Sequence, residues 1–138
     1  MRRYSDWSTR LREFEESRSP MPFQWGVNDC CLYACDAIQA ITGVDPAASF
    51  RGYTTEEEAN EKIAAYGSIE KLAESVCADL GFSEVPVKFA KRGDIALCEW
   101  QGKQFMCVLG TSSYPHGPSE RGAVAYPRGC MKRAWSIG

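Results

Sequence analysis

The chain has 138 residues, a length that corresponds to one domain with room for a single hydrophobic core. Its composition is 44% hydrophobic, 25% charged and 12% aromatic, and its formal net charge is −2. Acidic and basic residues are mixed along the chain, so we expect a globular protein with no basic surface for nucleic acid.

The beginning of the chain shows no targeting signal. Residues 1–17, MRRYSDWSTRLREFEES, contain arginines but not the apolar stretch that a signal peptide requires. Elsewhere, no apolar run approaches the roughly 18 residues of a membrane span. We therefore expect the protein to be made in a cytoplasm and to carry neither a signal peptide nor a membrane span.

An amphipathic helix is predicted over residues 6–16, where Trp7, Leu11 and Phe14 recur at positions i, i+4 and i+7. The segment SRSPMPF (17–23) ends this helix, because its two prolines cannot continue one.

A second helix is predicted to follow, with Asn28 as its N-cap and Gly43 as its stop. This places Cys30 in the first turn, where the backbone N–H groups and the helix dipole favour a thiolate. Cys31 points about 100° further round the helix, onto an apolar stripe, where we expect it to pack. Cys30 is therefore the better nucleophile candidate; the alternative is a helix that simply has a cysteine near its start.

Two more helices are predicted before residue 82. Thr55 and Glu58 fit a capping box that begins a helix reaching about residue 65. Ser68 caps the next helix and Gly81 ends it.

Beyond Phe82 the sequence changes to short β-prone segments separated by turns that contain glycine. Helices first and an antiparallel β-meander second predict an α+β domain rather than a doubly wound one. The predicted strands are DIALCEW (94–100), QFMCVLG (104–110), GAVAYP (122–127) and AWSIG (134–138).

Seven cysteines are many for a cytosolic protein, but their number is odd and their spacing forms no disulfide framework. We expect Cys35, Cys77, Cys98 and Cys107 to be free thiols that pack as small apolar groups. Metal binding is the alternative, since Cys31 and Cys35 share a helical face and could supply two ligands. Without a CxxC or a cysteine–histidine knuckle zinc has little support, and an iron–sulfur cluster would need further cysteines to converge there. We predict no cofactor and no metal.

The order of three dipeptides resembles that of the NlpC-type peptidases, a papain-like superfamily of cell-wall cysteine peptidases. Trp25-Gly26 and Asp29-Cys30 come before further helices, and Gly93-Asp94 then begins the first long predicted strand. The resemblance implies a papain-like α+β fold in which Cys30, at a helix start, is the nucleophile.

The chain resembles more closely a group of phage- and prophage-encoded domains of this fold. They share the phrase WGxNDC, a GxDP segment followed by Arg-Gly and a tyrosine, and a terminal RAW. These phrases are here Trp25–Cys30, Gly43–Tyr53 and Arg133–Trp135. The resemblance covers about residues 20–138 of a single domain (1–138), and residues 1–19 form an N-terminal helical extension.

One residue departs from the family pattern. Active NlpC-type enzymes have a histidine as general base at the start of the second core strand, where this chain has Gln104. Glutamine cannot take a proton from a thiol. The only histidine, His116, lies in SYPHGPSERG, near the place of the family's third, orienting polar residue. It is the one candidate base if this segment folds inward, and otherwise a histidine in a surface loop.

The missing histidine favours a degenerate peptidase domain that is a structural or assembly component of a phage tail tip, with other tail proteins as partners. An active peptidase or amidase that cleaves peptidoglycan through Cys30 is the first alternative. A cysteine-rich redox or metal-binding module is the second, and only the number of cysteines supports it. The phage setting implies synthesis in the host cytoplasm and, after assembly, a place in the virion tail.

Aromatic residues near the two ends offer possible contacts for such partners. If exposed, Tyr4, Trp7 and Trp135 would suit docking to neighbouring subunits. Trp7, together with Leu11 and Phe14, would equally well cover the domain's own core, and we favour this second interpretation.

Overall fold

Four helices precede the sheet in the computed structural model, which describes residues 2–138. The helices are α1 (Trp7–Arg18), α2 (Cys30–Thr42), α3 (Glu56–Tyr66) and α4 (Ile69–Asp79). The strands are β1 (Ser83–Val85), β2 (Ile95–Trp100), β3 (Lys103–Leu109), β4 (Pro115–Ser119), β5 (Gly122–Ala125) and β6 (Met131–Ser136). The fold is thus α+β, with helices first, as predicted. Within the described residues, no helix is both long and apolar enough to span a membrane.

The six strands form one antiparallel sheet in the order β1-β6-β2-β3-β4-β5. Strands β2 to β5 are a meander, whereas β6 returns across it and lies between β1 and β2. A two-residue turn joins β2 to β3, and both Gln101 (φ 53°) and Gly102 (φ 79°) are left-handed there. This is the turn geometry that matches the twist of a hairpin.

Strand β3 is paired with β4 over only two positions, Val108 with His116 and Leu109 with Pro115. Its pairing with β2, by contrast, runs from Lys103 to Val108. The first part of β3, which includes Gln104, therefore has one edge that β4 does not cover.

The two faces of the sheet carry separate clusters of buried side chains, because successive residues of a strand point to opposite faces. Met106 and Val108 of β3 pack with α1 and α2 on one face. Cys107 and Leu109 pack on the other face with Cys98 and the segment around Cys130. A third cluster joins α2 to α3 and α4.

Helix α1 contributes directly to the main core. Leu11 is fully buried, Phe14 is buried and Trp7 packs against them from the edge of the same cluster. Trp135 is also buried, so only Tyr4 among the proposed docking aromatics is exposed, at 40%. The prediction that the first helix covers the domain's own core is confirmed.

The segment around His116 is a strand and not the expected surface loop. Pro115, Gly117 and Pro118 of β4 are buried, and His116 is half-buried. Strand β1 was not predicted at all, and it pairs with β6 over three residues. The predicted burial of the cysteines is confirmed: Cys35, Cys77, Cys98 and Cys107 are buried free thiols.

Candidate functional site

The N-cap of α2 is Asp29, so the prediction of Asn28 was wrong. One carboxylate oxygen of Asp29 accepts a hydrogen bond from the Leu32 N–H at 2.9 Å, which is the N-cap contact. The other accepts from the Gly26 N–H at 3.0 Å and from the Tyr53 hydroxyl. A single buried carboxylate therefore joins the turn before α2, the first turn of α2 and the loop that follows it.

The side chain of Asn28 bonds residues that precede α2 and does not cap the helix. Its amide nitrogen donates to the carbonyls of Met21, at 3.2 Å, and Pro22, at 3.0 Å. Its amide oxygen accepts from Arg18 at 3.2 Å. A carboxylate has no donor and could not satisfy the two carbonyls, which is why the amide stands at 28 and the acid at 29.

Gly26 allows the segments Trp25–Cys30 and Gly43–Tyr53 to approach each other closely. Its φ is +78°, and a Cβ at this position would lie 2.0 Å from the Tyr53 carbonyl oxygen. Only glycine adopts this backbone conformation at no steric cost and also permits so close an approach, because it has no Cβ. The turn of WGxNDC and the end of the Arg-Gly-Tyr segment thus form one packed unit below Cys30.

A cleft of about 530 Å³ lies at this unit and is bounded by the start of α2, by α3, by α4 and by the uncovered edge of β3. Cys30, Cys31 and Gln104 all line it. Its walls are largely aromatic, and its exposed charged groups are Glu56, Lys62 and Lys103. The aromatic lining residues are Phe23, Trp25, Phe50, Tyr53, Tyr66, Phe105 and Tyr126.

Cys30 is the first residue of α2 and is half-buried. A hydrogen bond from the Cys31 thiol and another from the Met106 backbone N–H lower the pKa of Cys30, against the opposing effect of burial. The same thiol–thiol contact raises the pKa of Cys31, because Cys31 is the donor, and burial raises it further. Of the two thiols, Cys30 is therefore the more acidic.

Cys35 and Cys77 differ from Cys30 in the direction of their pKa shifts, whereas the pKa of the fully buried Cys98 is lowered by the neighbouring thiols of Cys107 and Cys130. Burial raises the pKa of Cys35 and that of Cys77 to about 12. On the far face of the sheet, Cys98, Cys107 and Cys130 pack against one another. In the described part of the chain, no three histidine, cysteine, aspartate or glutamate side chains are arranged to hold a metal ion.

His116 lies outside the cleft. Its ring makes an edge-to-face contact with Tyr33 of α2, at 5.7 Å between centroids, and lies beside Glu15 of α1 where both approach Gly110. Burial lowers the pKa of His116. The structure thus brings Cys30 and Gln104 into one cleft but does not bring His116 to the thiol.

Asp94, like Asp29, is a buried carboxylate that joins separate segments of the chain. Asp94 accepts the Lys91 N–H at 2.9 Å, and it also contacts Arg3 at 3.3 Å. Burial raises the pKa of Asp94. The role of Asp29 in binding Tyr53 was missed, although the Arg-Gly-Tyr phrase was the signal that could have indicated it.

These features define the class: an α+β domain with a cysteine at a helix start, in an aromatic cleft. A family model described as a domain of unknown function (DUF6950) matches residues 2–137. Since the match covers nearly the whole chain, the chain belongs to this family. Comparisons with curated proteins and with solved structures give no match.

Proposed function

We propose that this chain is a degenerate NlpC-type, papain-like domain that serves as a structural component of a phage tail tip. One observation carries the proposal that the domain is degenerate. Cys30 and Gln104 line the same cleft, while the chain's single histidine lies outside it. The cleft has the nucleophile of a cysteine peptidase without its general base.

The position of Cys30 supports descent from such a peptidase. A thiol in the first turn of a helix with two hydrogen-bond donors is an arrangement that favours a thiolate, and here it does so against the opposing charge of Asp29. Cys35 and Cys77 have raised pKa values instead, and Cys98, whose pKa is lowered by neighbouring thiols, is fully buried and lines no part of the cleft.

The groups that contact the Cys30 thiol include none that replaces the imidazole. The side chain that contacts the Cys30 thiol is that of Cys31, and the backbone of Met106 provides the second contact. The carboxylate of Asp29 is already used by three donors. Amide hydrolysis needs an acid to protonate the leaving amine, and a general base contributes about 10² to 10⁴ in rate. We therefore expect no turnover on peptide bonds.

The phage setting is supported by the phrases Trp25–Cys30, Gly43–Tyr53 and Arg133–Trp135, which the phage-encoded domains share. The first two phrases contact each other through Asp29, Gly26 and Tyr53, and this contact supports one wall of the cleft. Their retention without the histidine favours a structural use of the domain, with other tail proteins as partners.

The degenerate state is tested by comparing the wild-type chain with Gln104→His on purified peptidoglycan. Released peptides are measured by mass spectrometry, with Cys30→Ala and the double variant Cys30→Ala/Gln104→His as matched controls. We expect no release by the wild type. Release by the wild type that Cys30→Ala abolishes would overturn the proposal in favour of an active peptidase or amidase.

The tail role needs a separate experiment. Virions from a lysogen that carries this gene are purified, and their proteins are identified by mass spectrometry. We expect the chain in the purified virions or in tail assembly intermediates. Its presence in induced cells but in neither particle would overturn the tail assignment and leave the cleft chemistry untouched.

A further inference from the structure

We propose that the cleft accepts one acyl group from an activated ester or thioester onto Cys30 and then holds it as a stable thioester. This inference rests on the proposed function, because it concerns the same cleft and the same missing base. It adds an activity, a single acylation, and it names the class of ligand.

The attack step needs only what the cleft contains. Cys30 is half-buried and lines the 530 Å³ cleft, so an acyl group can reach it. The Cys31 thiol and the Met106 N–H both donate toward the Cys30 sulfur and stabilise its anion. The Leu32 N–H is bound to the Asp29 cap, whereas the Cys30 N–H has no acceptor within the helix and is available to a developing oxyanion.

The ligand class follows from the leaving group. An alkoxide or thiolate of low pKa departs as an anion and needs no proton, whereas an amine must be protonated as it leaves. The thiolate electron pair forms the new C–S bond, and the bond from the carbonyl carbon to the leaving oxygen of the ester, or to the leaving sulfur of the thioester, breaks with its electrons on the leaving atom. The proton of the Cys30 thiol passes to solvent. The cleft therefore selects esters and thioesters over amides.

The lack of a general base in the cleft also stops the reaction after one step. Hydrolysis of the thioester needs a base to activate water, and Gln104, which lines the same cleft as Cys30, accepts no proton. His116 packs instead on Tyr33 and beside Glu15, away from the cleft. The acylated chain therefore accumulates.

The aromatic walls favour an apolar acyl group. Seven aromatic side chains line the cleft, and its three exposed charged groups lie on α3 and at the start of β3. Acylation by a small acetyl group tests whether Cys30 reacts, and acylation by a longer acyl chain tests whether the aromatic walls of the cleft bind it. We expect p-nitrophenyl butyrate to acylate Cys30 faster than p-nitrophenyl acetate does.

The experiment follows p-nitrophenolate release from p-nitrophenyl acetate by the full chain, together with its intact mass and the site of acetylation. We expect one equivalent of p-nitrophenolate and one acetyl group on Cys30, with a rate at least about 10-fold above that of N-acetylcysteine. Cys30→Ser removes the reaction. His116→Gln is the matched control outside the cleft and leaves it unchanged.

The fate of the thioester gives the second readout. We expect it to persist in the wild type and to hydrolyse at least about 10-fold faster in Gln104→His. Acetylation at other residues, or a rate of Cys30 acetylation equal to that of N-acetylcysteine, would overturn the inference. Neither result would contradict the proposal that the domain is a degenerate peptidase. Continuous turnover by the wild type would instead overturn both the inference and the absence of catalysis.

Discussion

The Tyr53 hydroxyl donates a hydrogen bond to the buried carboxylate of Asp29, the residue that begins the helix carrying Cys30. The two residues are 24 positions apart and lie in the segments Trp25–Cys30 and Gly43–Tyr53. The contact links the loop after α2 to the first turn of α2. It makes the position of the thiol depend on both segments.

Removal of the Asp29 carboxylate should destabilise the protein more than removal of the Tyr53 hydroxyl. Asp29→Ala loses the N-cap contact, worth about 1 kcal/mol, and leaves the Gly26 N–H and the Tyr53 hydroxyl unpaired. We expect a total loss of about 2 to 4 kcal/mol in the free energy of unfolding, against about 1 to 2 kcal/mol for Tyr53→Phe. Urea unfolding measures both.

The double variant Asp29→Ala/Tyr53→Phe completes the cycle. We expect a coupling free energy of about 1 to 2 kcal/mol between the two side chains. Strict additivity of the two single changes would show that the hydrogen bond contributes nothing to stability.

Two glycines with nearly the same backbone conformation should respond very differently to alanine. Gly26 (φ +78°) has the Tyr53 carbonyl oxygen 2.0 Å from the position of a Cβ, whereas Gly102 (φ +79°) has no atom within 4 Å. We expect Gly102→Ala to cost about 1 to 2 kcal/mol from the left-handed conformation alone. Gly26→Ala adds a steric clash and should cost about 3 kcal/mol or more. Equal losses by urea unfolding would contradict the close approach.

Alkylation should separate Cys30 from Cys35 and Cys77. Its pKa is lowered by the Cys31 thiol and the Met106 N–H, and the thiolate is the reactive form. The rate of iodoacetamide labelling should therefore rise with pH around a midpoint below the value of about 8.5 of a free cysteine. Mass spectrometry follows the modification residue by residue, and Cys35 and Cys77, with pKa values of about 12, should stay unlabelled.

Two variants identify the cause of the Cys30 midpoint. Cys31→Ala removes the donor and should move the midpoint upward. His116→Ala should leave it in place, because His116 contacts Tyr33 and Glu15 and not the thiol. A midpoint that moves with His116 would mean that the imidazole reaches Cys30 and that the catalytic pair is assembled.

Acidification should weaken the fold through His116, the only histidine in the chain. Burial lowers the pKa of His116 in the folded state below its unfolded value of about 6.5. The neutral form is thus favoured by folding, and its contribution to stability is complete above about pH 6.5 and is lost as pH falls toward the folded pKa. Glu15 on α1 opposes the shift, and Tyr33 on α2 remains neutral throughout this range.

The measurement is the free energy of unfolding between about pH 5 and 7.5, where carboxylates of ordinary pKa do not titrate. The slope should reach at most about 1.4 kcal/mol per pH unit in the wild type. It should flatten in His116→Gln, even if that variant is less stable overall. A wild-type profile that is already flat would contradict the burial of the imidazole.

Local sequence was sufficient for most of the helical half. The capping residues Thr55 and Ser68 each accept a hydrogen bond from the backbone three residues on, as their position before an apolar pattern predicted. The hairpin turn at Gln101-Gly102 was likewise predicted. Such signals involve residues within one turn of each other, so that their energy does not depend on distant parts of the chain.

The choice between Asn28 and Asp29 as N-cap could not be made locally, because both residue types cap helices equally well. Three distant groups decided it. The carbonyls of Met21 and Pro22 need a donor, which only the amide supplies, and the Tyr53 hydroxyl needs an acceptor.

Strand β4 was missed because its sequence, PHGPS, has the composition of a loop. Two prolines and a glycine oppose a strand locally, and pairing with Val108 and Leu109 on one side and with β5 on the other overrides this preference. The same pairing turns His116 toward Tyr33 and Glu15 and away from the cleft.

The sequence by itself determined that Cys30 lies at a helix start, and the resemblance to NlpC-type peptidases predicted Gln104 in place of the general base. Only the tertiary structure decided that these two residues share a cleft and that His116 does not. The physical reason is that a helix start depends on neighbouring residues, whereas the contents of a cleft depend on how sheet register and helix packing bring distant side chains together.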